Sequence, residues 1–490
     1  MRSLAGAFCA VLFPTLLAAS GAAADSLQVV HNFNGLDGQA PTGLLQAANG
    51  LFYGVGENGG DTKTCDPDGC GVIFSVDAAG TFTGLHVFEV TDGNAPTGLV
   101  EGKAGTLYGT TMLGGKDEAG GSGTIFSLTS AGKYKVVYRF TGGFTCCDGA
   151  SPNGHLVAAT DGKFYGTTMN GGAFRDADHG GGFGTVYRFD PATNAVTVLH
   201  SFSLADGNGI FPNGPLFQGK GGLLYGTARE GGSGGGGTVF KIDAAGNFSL
   251  VAQLPGMEPL GGVIQTRQGD LYGTDDGGNS NGSLFRIDTA GQLSVLNRFD
   301  GADGKGPSFA LTRTADGFFY GTTQQGGLLD AQGGAVFRLS ANGDYRVLHS
   351  FASAVPQGIF PNATLIEASD GMLYGTAALG GAATRGTVFR IDPADLGPVA
   401  SVSVHPATVN SGSSVKAKVK LFAPAPAQGL VVMLRAQPGP VTVPQSVKVR
   451  AGKTSATFTV STMKIGAENN SRIYASVQGQ GVRTVIKVVP

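Results

Sequence analysis

The sequence has 490 residues, including 84 Gly and 22 Pro, and a formal net charge of −2. That length exceeds one ordinary core, and so much Gly without a collagen triplet indicates many tight turns between short strands. The charge is uneven, since residues 399–490 carry eleven Lys or Arg and a single acid, Glu468. The rest of the chain is therefore acidic, which argues against a nucleic-acid partner.

The first 24 residues match an export signal. Arg2 supplies the positive start, residues 4–19 form the apolar stretch, and three Ala at 22–24 fit a cleavage site before Asp25. Pro14 and the small residues argue against a membrane anchor, and no later stretch is long and apolar enough to span a bilayer. We expect a mature protein that is periplasmic or extracellular and has no transmembrane segment.

Four cysteines remain after the signal, and an exported chain favours disulfides over a zinc site. The simplest pairing joins Cys65 to Cys70 and leaves Cys146 and Cys147 as a vicinal bridge. The second pair could instead bond to the first pair, and free thiols remain an alternative, because connectivity is not encoded in spacing.

A repeated phrase organises most of the chain. Tyr-Gly recurs seven times at intervals of 47 to 60 residues, close to the period of about 50 that is typical of kelch-type propellers. The Tyr residues of these pairs are Tyr53, Tyr108, Tyr165, Tyr225, Tyr272, Tyr320 and Tyr374.

Each copy contains four alternating apolar runs separated by turn signals, as in a β meander. In the second copy the predicted strands are 97–102, 106–111, 123–129 and 134–140. The first two are joined in most copies by pairs such as Asn49-Gly50, which tolerate the positive φ that a type I′ hairpin demands.

The two ends of the repeat region have matching deficits. The seventh copy stops after its third strand, 387–392, whereas residues 28–33 form a fourth strand without a copy of its own. We therefore predict that the N-terminal strand completes the last sheet, giving a seven-bladed β-propeller over residues 25–395. An open solenoid is the alternative architecture.

The composition changes after residue 395. Gly becomes scarce, and seven alternating runs rich in Val, Thr, Ser and Lys lie within 399–490. This pattern predicts an all-β immunoglobulin-like sandwich, with residues 396–398 as a hinge. Its basic side chains could meet an anionic polymer or surface, or the acidic propeller itself.

The repeat phrases resemble the bacterial GloVer tandem-repeat family, also called choice-of-anchor tandem repeat proteins. The resemblance is carried by sets such as residues 107–111, Gly114-Gly115 and residues 123–127, and it covers about residues 28–395. It implies an exported, repeat-built envelope or extracellular protein, and it brings no established activity and no catalytic residues. Members often end in a sorting or anchoring signal, whereas this sequence ends in the predicted sandwich.

Histidines that recur in the repeats are interpreted as structural, because an active site is not normally copied around a ring. His31, His86, His200 and His349 all stand at one position of the fourth strand.

Two loops between second and third strands break the repeat pattern. They carry Asp61, Asp66 and Asp68 in the first copy and Asp176, Asp178 and His179 in the third. Carboxylates at alternate positions are ligands for a hard cation, so these residues are candidate calcium ligands. Solvated acidic loops are the alternative interpretation.

The loops between copies repeat Asp-Gly before a Pro, at Asp37, Asp92, Asp148, Asp206 and Asp303. Asp-Gly is turn chemistry, and five such residues on one face would also give it a negative field. Phe211 and Phe360 would add apolar contacts on that face.

No nucleophile elbow, Walker loop or zinc-protease motif is present in the sequence. We expect a monomeric, non-catalytic binding or structural protein that presents one loop-rich face to a glycan, protein or small molecule. The alternative is a hydrolase or lyase that uses acids such as Asp61, Asp66, Asp176 and Asp178, and it requires two carboxylates to converge over a pocket. A purely structural repeat is a third possibility.

Overall fold

The computed structural model describes residues 27–60, 65, 68–115, 121–142, 148–174, 181–278, 280–329, 333–352 and 356–490. These residues form an all-β fold of mainly antiparallel sheets, and none of them is in an α-helix. Four short 3₁₀ turns are present at Lys103–Gly105, Leu204–Asp206, Lys220–Gly222 and Ser233–Gly235.

Sheets 1 to 7 follow one another along the chain after the first strand, β1 (Leu27–Asn32). Sheet 1 contains β2 (Gln39–Gln46), β3 (Phe52–Asn58), β4 (Val72–Val76) and β5 (Phe82–Val87). Sheet 2 contains β6 (Asn94–Glu101), β7 (Leu107–Leu113), β8 (Thr124–Leu128) and β9 (Tyr134–Arg139). Sheet 3 contains β10 (Ala150–Pro152), β11 (Val157–Ala158), β12 (Phe164–Asn170), β13 (Thr185–Asp190) and β14 (Ala195–Ser201). Sheet 4 contains β15 (Ile210–Pro212), β16 (Phe217–Gln218), β17 (Leu224–Glu230), β18 (Gly237–Ile242) and β19 (Phe248–Leu254).

The remaining three sheets of this series repeat the same order. Sheet 5 contains β20 (Val263–Gln265), β21 (Leu271–Asp275), β22 (Ser283–Ile287) and β23 (Leu293–Arg298). Sheet 6 contains β24 (Thr312–Arg313), β25 (Phe319–Thr323), β26 (Ala335–Leu339) and β27 (Tyr345–Ser350). Sheet 7 contains β28 (Ile359–Pro361), β29 (Ile366–Glu367), β30 (Leu373–Leu379) and β31 (Thr387–Ile391).

The Tyr-Gly phrase lies on one strand of each sheet, and packing explains its Gly. These strands are β3, β7, β12, β17, β21, β25 and β30. A Cβ built on Gly109 would lie 2.4 Å from Cζ of Phe126, the aromatic residue opposite it on β8. Only Gly leaves room for that ring. In sheets 3 to 6 the Thr that follows the Gly binds the next sheet, as when Thr274 Oγ1 donates to Phe309 O at 3.0 Å.

Sheet 7 takes its fourth strand from the start of the chain. β1 pairs antiparallel with β31, with Leu27 opposite Ile391 and Asn32 opposite Thr387. The pairing predicted from the matching deficits of the two ends is therefore present.

Neighbouring sheets are packed through one recurring contact, in which a Gly at the start of the strand that follows the Tyr-Gly strand lies against a Pro of the next sheet. The contact also joins sheet 7 to sheet 1, where the rings of Phe52 and Tyr374 stack at 4.1 Å. The sheets thus form a closed cycle, a propeller-like arrangement with apolar cores between neighbours. The Gly–Pro pairs are Gly71–Pro96, Gly123–Pro152, Gly184–Pro212, Gly237–Pro259, Gly282–Pro307, Gly334–Pro361 and Gly386–Pro41.

Residues 399–490 form two sheets that enclose a separate apolar core. Strands occupy all seven predicted runs, and two short strands that the sequence analysis did not predict, β33 and β36, are added. The strands are β32 (Val399–Val404), β33 (Thr408–Asn410), β34 (Ser414–Leu421), β35 (Leu430–Ala436), β36 (Val441–Thr442), β37 (Ser446–Val449), β38 (Ser455–Thr462), β39 (Asn469–Val477) and β40 (Gln480–Val489).

One of these sheets continues sheet 6, because β40 pairs with β27 at Gly481 and Val347. The Arg346 guanidinium donates to three carbonyl oxygens of the connector and β32, those of Leu396, Val399 and Ala400. The connector that the sequence suggested as a hinge is therefore tied to sheet 6.

Candidate functional site

A cavity of about 440 Å³ lies at the centre of the cycle, with lining residues from all seven sheets. Its wall includes the residue after the repeated Pro of each sheet, and six of these seven residues carry a hydroxyl or amide group. They are Thr42, Thr97, Asn153, Asn213, Leu260, Ser308 and Asn362. We call these seven residues the axial ring.

Hydrogen bonds hold the axial ring in place. Asn153 donates to Asn213. Thr376 Oγ1 donates to Asn362 Oδ1 at 3.0 Å, and Thr97 and Thr110 share a hydroxyl–hydroxyl bond of 2.7 Å. The ring therefore presents neutral donors and acceptors in fixed orientations, which is the arrangement that gives a binding pocket its specificity.

His155 lies between two cavities at the centre of the cycle. It lines the 440 Å³ cavity and also a second, mostly apolar cavity of about 220 Å³. Sheets 1 and 2 have Gly where the imidazole approaches, and a Cβ on Gly43 or Gly98 would lie 2.7 or 2.8 Å from the ring. Burial lowers the pKa of His155 to about 4, so the imidazole is neutral at pH 7.

Glu57 is the only carboxyl group among the described lining residues of the central cavity. Burial raises the pKa of Glu57. Glycoside hydrolysis uses two carboxyl groups about 5–10 Å apart. The described part of the wall supplies one of them and therefore does not form that catalytic pair.

The aspartates of the loops between copies cap turns. Asp92 Oδ1 accepts from Glu89 N at 2.8 Å, and its Oδ2 lies 2.9 Å from Nε2 of His86. Asp37 is bonded in the same way to Asn34 N and His31. Asp148 accepts from Thr141 N and Asp303 from Asp300 N, so these loop carboxylates cap their own turns, and Asp303 also binds the C-terminal segment.

The recurring histidines pack between sheets. The His86 ring stacks on Tyr134 of sheet 2 at a centroid distance of 3.6 Å, and His31 stacks on Phe82 at 4.1 Å. His200 stacks on Phe248 in the same manner at 3.9 Å. These contacts agree with the structural role predicted for them.

Of the six predicted calcium ligands, only Asp68 lies within the described residues; Asp61, Asp66, Asp176, Asp178 and His179 lie outside them. Asp68 is exposed, and its backbone carbonyl accepts from Gly59 N at 2.6 Å. Within the described residues no group of three or more His, Cys, Asp or Glu side chains could hold a metal. The calcium site stays a prediction.

The predicted disulfide between Cys65 and Cys70 is present, with Cα atoms 5.2 Å apart. Cys146 and Cys147 lie outside the described residues. Phe211 and Phe360, predicted as apolar contacts of the loop-rich face, each precede a repeated Pro with φ of 56° and are half-buried.

The basic C-terminal segment contacts the acidic series of sheets directly. Arg483 forms an ion pair with Asp303, whose side chain is fully buried, and Arg472 lies 3.5 Å from the same carboxylate. Tyr474 donates to Asp300. Two arginines of the basic segment therefore bind the chain's own acidic part, one of the two kinds of partner predicted for this segment. Lys416, Lys418 and Lys420 remain exposed on β34.

Sequence reasoning missed His155 and the axial ring. The signal that could have found them is the segment after the repeated Pro. Sheets 3 to 7 have one more residue there than sheets 1 and 2, and His155 occupies the additional position in sheet 3.

Among the described residues, no helix has the length and apolar character needed to cross a membrane. No curated protein matches the sequence.

Several solved structures share a distant likeness with the chain. PorZ, a surface component of the type-IX secretion system of Porphyromonas gingivalis, is 14% identical with a TM-score of 0.42; the match covers 91% of this chain and 59% of PorZ. A putative TolB from Agrobacterium tumefaciens is 10% identical with a TM-score of 0.36, over 64% of this chain and 93% of that one. An exo-β-1,3-galactanase from Phanerochaete chrysosporium is 10% identical with a TM-score of 0.34, over 84% and 97%. The present chain thus spans less than two thirds of PorZ, and likenesses this distant transfer no activity.

A family model for the Gloeobacter/Verrucomicrobia repeat matches the chain four times in overlapping registers, at residues 18–211, 62–259, 144–331 and 211–419. Together the matches extend without a gap over more than half of the sequence, and they include every Tyr-Gly phrase. The chain belongs to the Gloeobacter/Verrucomicrobia repeat family.

Proposed function

We propose that this chain is an exported, non-catalytic binding protein whose central cavity takes a small, neutral, polar ligand. The observation that carries the proposal is the cavity of about 440 Å³, to which all seven sheets contribute and whose axial ring is mostly hydroxyl and amide groups. Such a volume and such convergent polar groups are typical of small-molecule sites.

The architecture proposed with this function is a seven-bladed β-propeller over residues 25–395, followed by an immunoglobulin-like sandwich over residues 399–490. Its support is the closed cycle of seven sheets and the two facing sheets of the C-terminal segment. Export is supported by the signal-like residues 1–24 and by the disulfide between Cys65 and Cys70.

The chemistry of the wall indicates the class of ligand. Neutral His155 and the uncharged axial ring provide no counter-ion for a strongly charged molecule, and burial disfavours the charged form of Glu57, the one carboxyl group of the described wall. Glu57 can accept hydrogen bonds from hydroxyl groups or, when protonated, donate one. A monosaccharide, or the terminal sugar of a glycan, has the matching hydroxyl groups and size.

The test is a titration of the mature protein with a panel of neutral mono- and disaccharides, in which binding is measured by saturation-transfer NMR and calorimetry. We expect saturable binding of at least one sugar and no turnover of any. Ala378 lines the cavity, so Ala378→Phe should fill it and abolish binding. Leu379, the next residue along β30, is 39% exposed and does not line the cavity, which makes Leu379→Phe the matched control.

Two outcomes would contradict the proposal. Binding that survives Ala378→Phe would place the ligand elsewhere. Sugar cleavage that accompanies binding would favour the hydrolase alternative, in which loop acids such as Asp61 and Asp176 supply the second carboxylate. Repeating the titration with calcium and with a chelator tests whether the predicted calcium ligands contribute.

A further inference from the structure

A side-chain hydrogen bond recurs between neighbouring sheets at the end opposite the loops between copies. In five of the seven sheets, a Gln or Glu at the end of the strand before the first hairpin turn accepts from a backbone N–H in the first hairpin turn of the preceding sheet, and we call this bond the latch. It is present at five junctions, with lengths of 2.8 to 3.1 Å. The bonds are Glu101 to Ala48 N, Gln218 to Thr160 N, Gln265 to Lys220 N, Glu367 to Ala315 N and Gln46 to Ser369 N.

Within the described residues the latch is missing at two junctions: between sheets 2 and 3, where Ala158 takes the place of the Gln or Glu, and between sheets 5 and 6, where Arg313 does. The N–H of Lys103 is the donor that corresponds to Ala48 N, and within the described residues no side chain accepts from it. The atoms around the two corresponding glycines agree with the absence of this hydrogen bond. A Cβ on Gly219 would meet Gln265 Oε1 at 2.5 Å, whereas the three nearest atoms to a Cβ on Gly102 belong to aromatic rings.

A cleft of about 420 Å³ occupies this place. The rings of Tyr108 and Phe164 lie in its wall with centroids 4.8 Å apart. In sheet 3 the corresponding hydroxyl, that of Tyr165, donates to Asp161 at 2.7 Å. Sheet 2 has Ala104 in the place of that Asp, and the Tyr108 hydroxyl has no hydrogen bond to any described residue.

The charged groups at the rim restrict the ligand. Glu101, Asp161 and Asp190 line the cleft together with Lys103 and Lys163, and Lys163 is already paired with Asp190. A carboxylate ligand would therefore meet more negative than free positive charge. A neutral acceptor avoids this repulsion, and the amide oxygen of Gln218 or Gln265 shows which neutral group the latch position takes.

We propose that this cleft binds an N-acetylhexosamine. Its acetamido oxygen accepts from Lys103 N as a Gln side chain does at the intact junctions, and its methyl group packs on Ala158. The C–H face of the sugar ring lies on Tyr108, since aromatic rings offer an apolar surface with a polar tip. The sugar hydroxyls donate to Glu101 and Asp161. This site is separate from the central cavity, which has none of these residues in its wall.

The probe for the test is N,N′-diacetylchitobiose. It is titrated into the mature full chain, and binding is measured by saturation-transfer NMR and calorimetry. We expect saturable binding with a Kd on the order of 1 mM, which is ordinary for one buried sugar. The acetyl methyl protons should receive the largest saturation, and cellobiose, the neutral disaccharide with hydroxyl groups in place of the acetamido groups, should not bind. Absence of saturable binding, or equal binding of cellobiose, would overturn the proposal.

The decisive variant is Ala158→Gln, which supplies the missing latch and fills the cleft with a side chain that folds at the same position in sheets 1, 4 and 5. We expect its melting temperature to equal or exceed that of the unmodified chain and its affinity for the probe to fall at least tenfold. The control is Arg313→Gln, because Arg313 occupies the latch position between sheets 5 and 6 and is remote from the cleft. This variant should bind normally.

Two further arms separate this site from others. Probe binding that is lost in Ala378→Phe but kept in Ala158→Gln would assign the sugar to the central cavity and overturn the proposal. The reverse pattern would support the cleft, whether or not the central cavity binds a ligand of its own. N-methylacetamide that competes as well as the disaccharide would show that the ring contributes nothing, and the assignment to a sugar would fall.

Discussion

Gly386 lies directly against Pro41, so that the last sheet of the cycle packs on the first. A Cβ on Gly386 would be 2.6 Å from Cδ of Pro41, and the residue has φ of +103°. The same contact joins every other pair of neighbouring sheets, as at Gly71 and Pro96. The junction between the two most distant parts of the repeat region is therefore built like the junctions between adjacent ones.

Gly386→Ala should destabilise the protein by about 2–5 kcal/mol, through the positive φ and the clash with the Pro ring. Gly343→Ala is the control, since Gly343 has φ of +90° but nothing within 4 Å of its added Cβ. It should cost only about 1–2 kcal/mol of backbone strain. Urea unfolding measures both, and equal losses would show that the sheets do not close on each other here.

His155 predicts a loss of stability in acid. Its pKa is about 4 in the folded protein, because burial disfavours the charged ring, and 6.5 in the unfolded chain. Between these values the unfolded state binds a proton that the folded state does not, so stability falls as the pH drops from 6.5 towards 4. One pKa unit corresponds to about 1.4 kcal/mol, and the loss approaches about 3 kcal/mol.

The measurement compares urea unfolding of the unmodified protein and His155→Asn at pH 7.5 and pH 4.5. The variant loses packing at both values, but it should lose less stability on acidification. Burial also lowers the pKa values of His31 and His200, and both remain in the variant, so the difference isolates His155. An identical acid response of the two proteins would contradict a His155 that stays neutral in the folded protein down to a pH of about 4.

Arg483→Ala should loosen the C-terminal segment from sheet 6. Burial raises the pKa of the Asp303 carboxyl, and the Arg483 guanidinium opposes that rise. Without the arginine a buried carboxylate loses its main partner, at a cost of about 3–5 kcal/mol. Arg450→Ala, at an exposed position on the same segment, should change stability by less than about 0.5 kcal/mol.

Calorimetric unfolding and small-angle scattering check this prediction together. Asp303→Asn in the Arg483→Ala background should recover part of the loss, because it removes the stranded charge. If Arg483→Ala and Arg450→Ala behave alike, the ion pair does not hold the two parts of the chain together.

The strands could be predicted from the sequence because the same pattern of apolar runs and turns occurs seven times. The predicted run 134–140 differs from the observed Tyr134–Arg139 by one residue, and the prediction that the first strand joins β31 is correct. The short strands β33 and β36 were missed, because two or three residues are too few to show a period of two.

The candidate site was harder to predict than the strands. The axial ring recurs after each repeated Pro, but the sequence does not show that these side chains face one another, because that follows from the closure of the cycle. His155 was hidden in a phrase that otherwise reads as turn and strand. The latch could have been predicted from the sequence, since Gln or Glu recurs just before the first hairpin turn in five copies and is replaced by Ala158 and Arg313 in the other two.

The central cavity exists only if the cycle closes, and the cycle closes only if β1 fills the last place in sheet 7. Hydrogen exchange of the mature protein, followed by mass spectrometry, tests this directly. If the cycle is closed, the amides of residues 28–32 are protected to the same extent as those of β31, their partner strand. Exchange of residues 28–32 at the rate of an unstructured peptide, beside a protected β31, would contradict this closure.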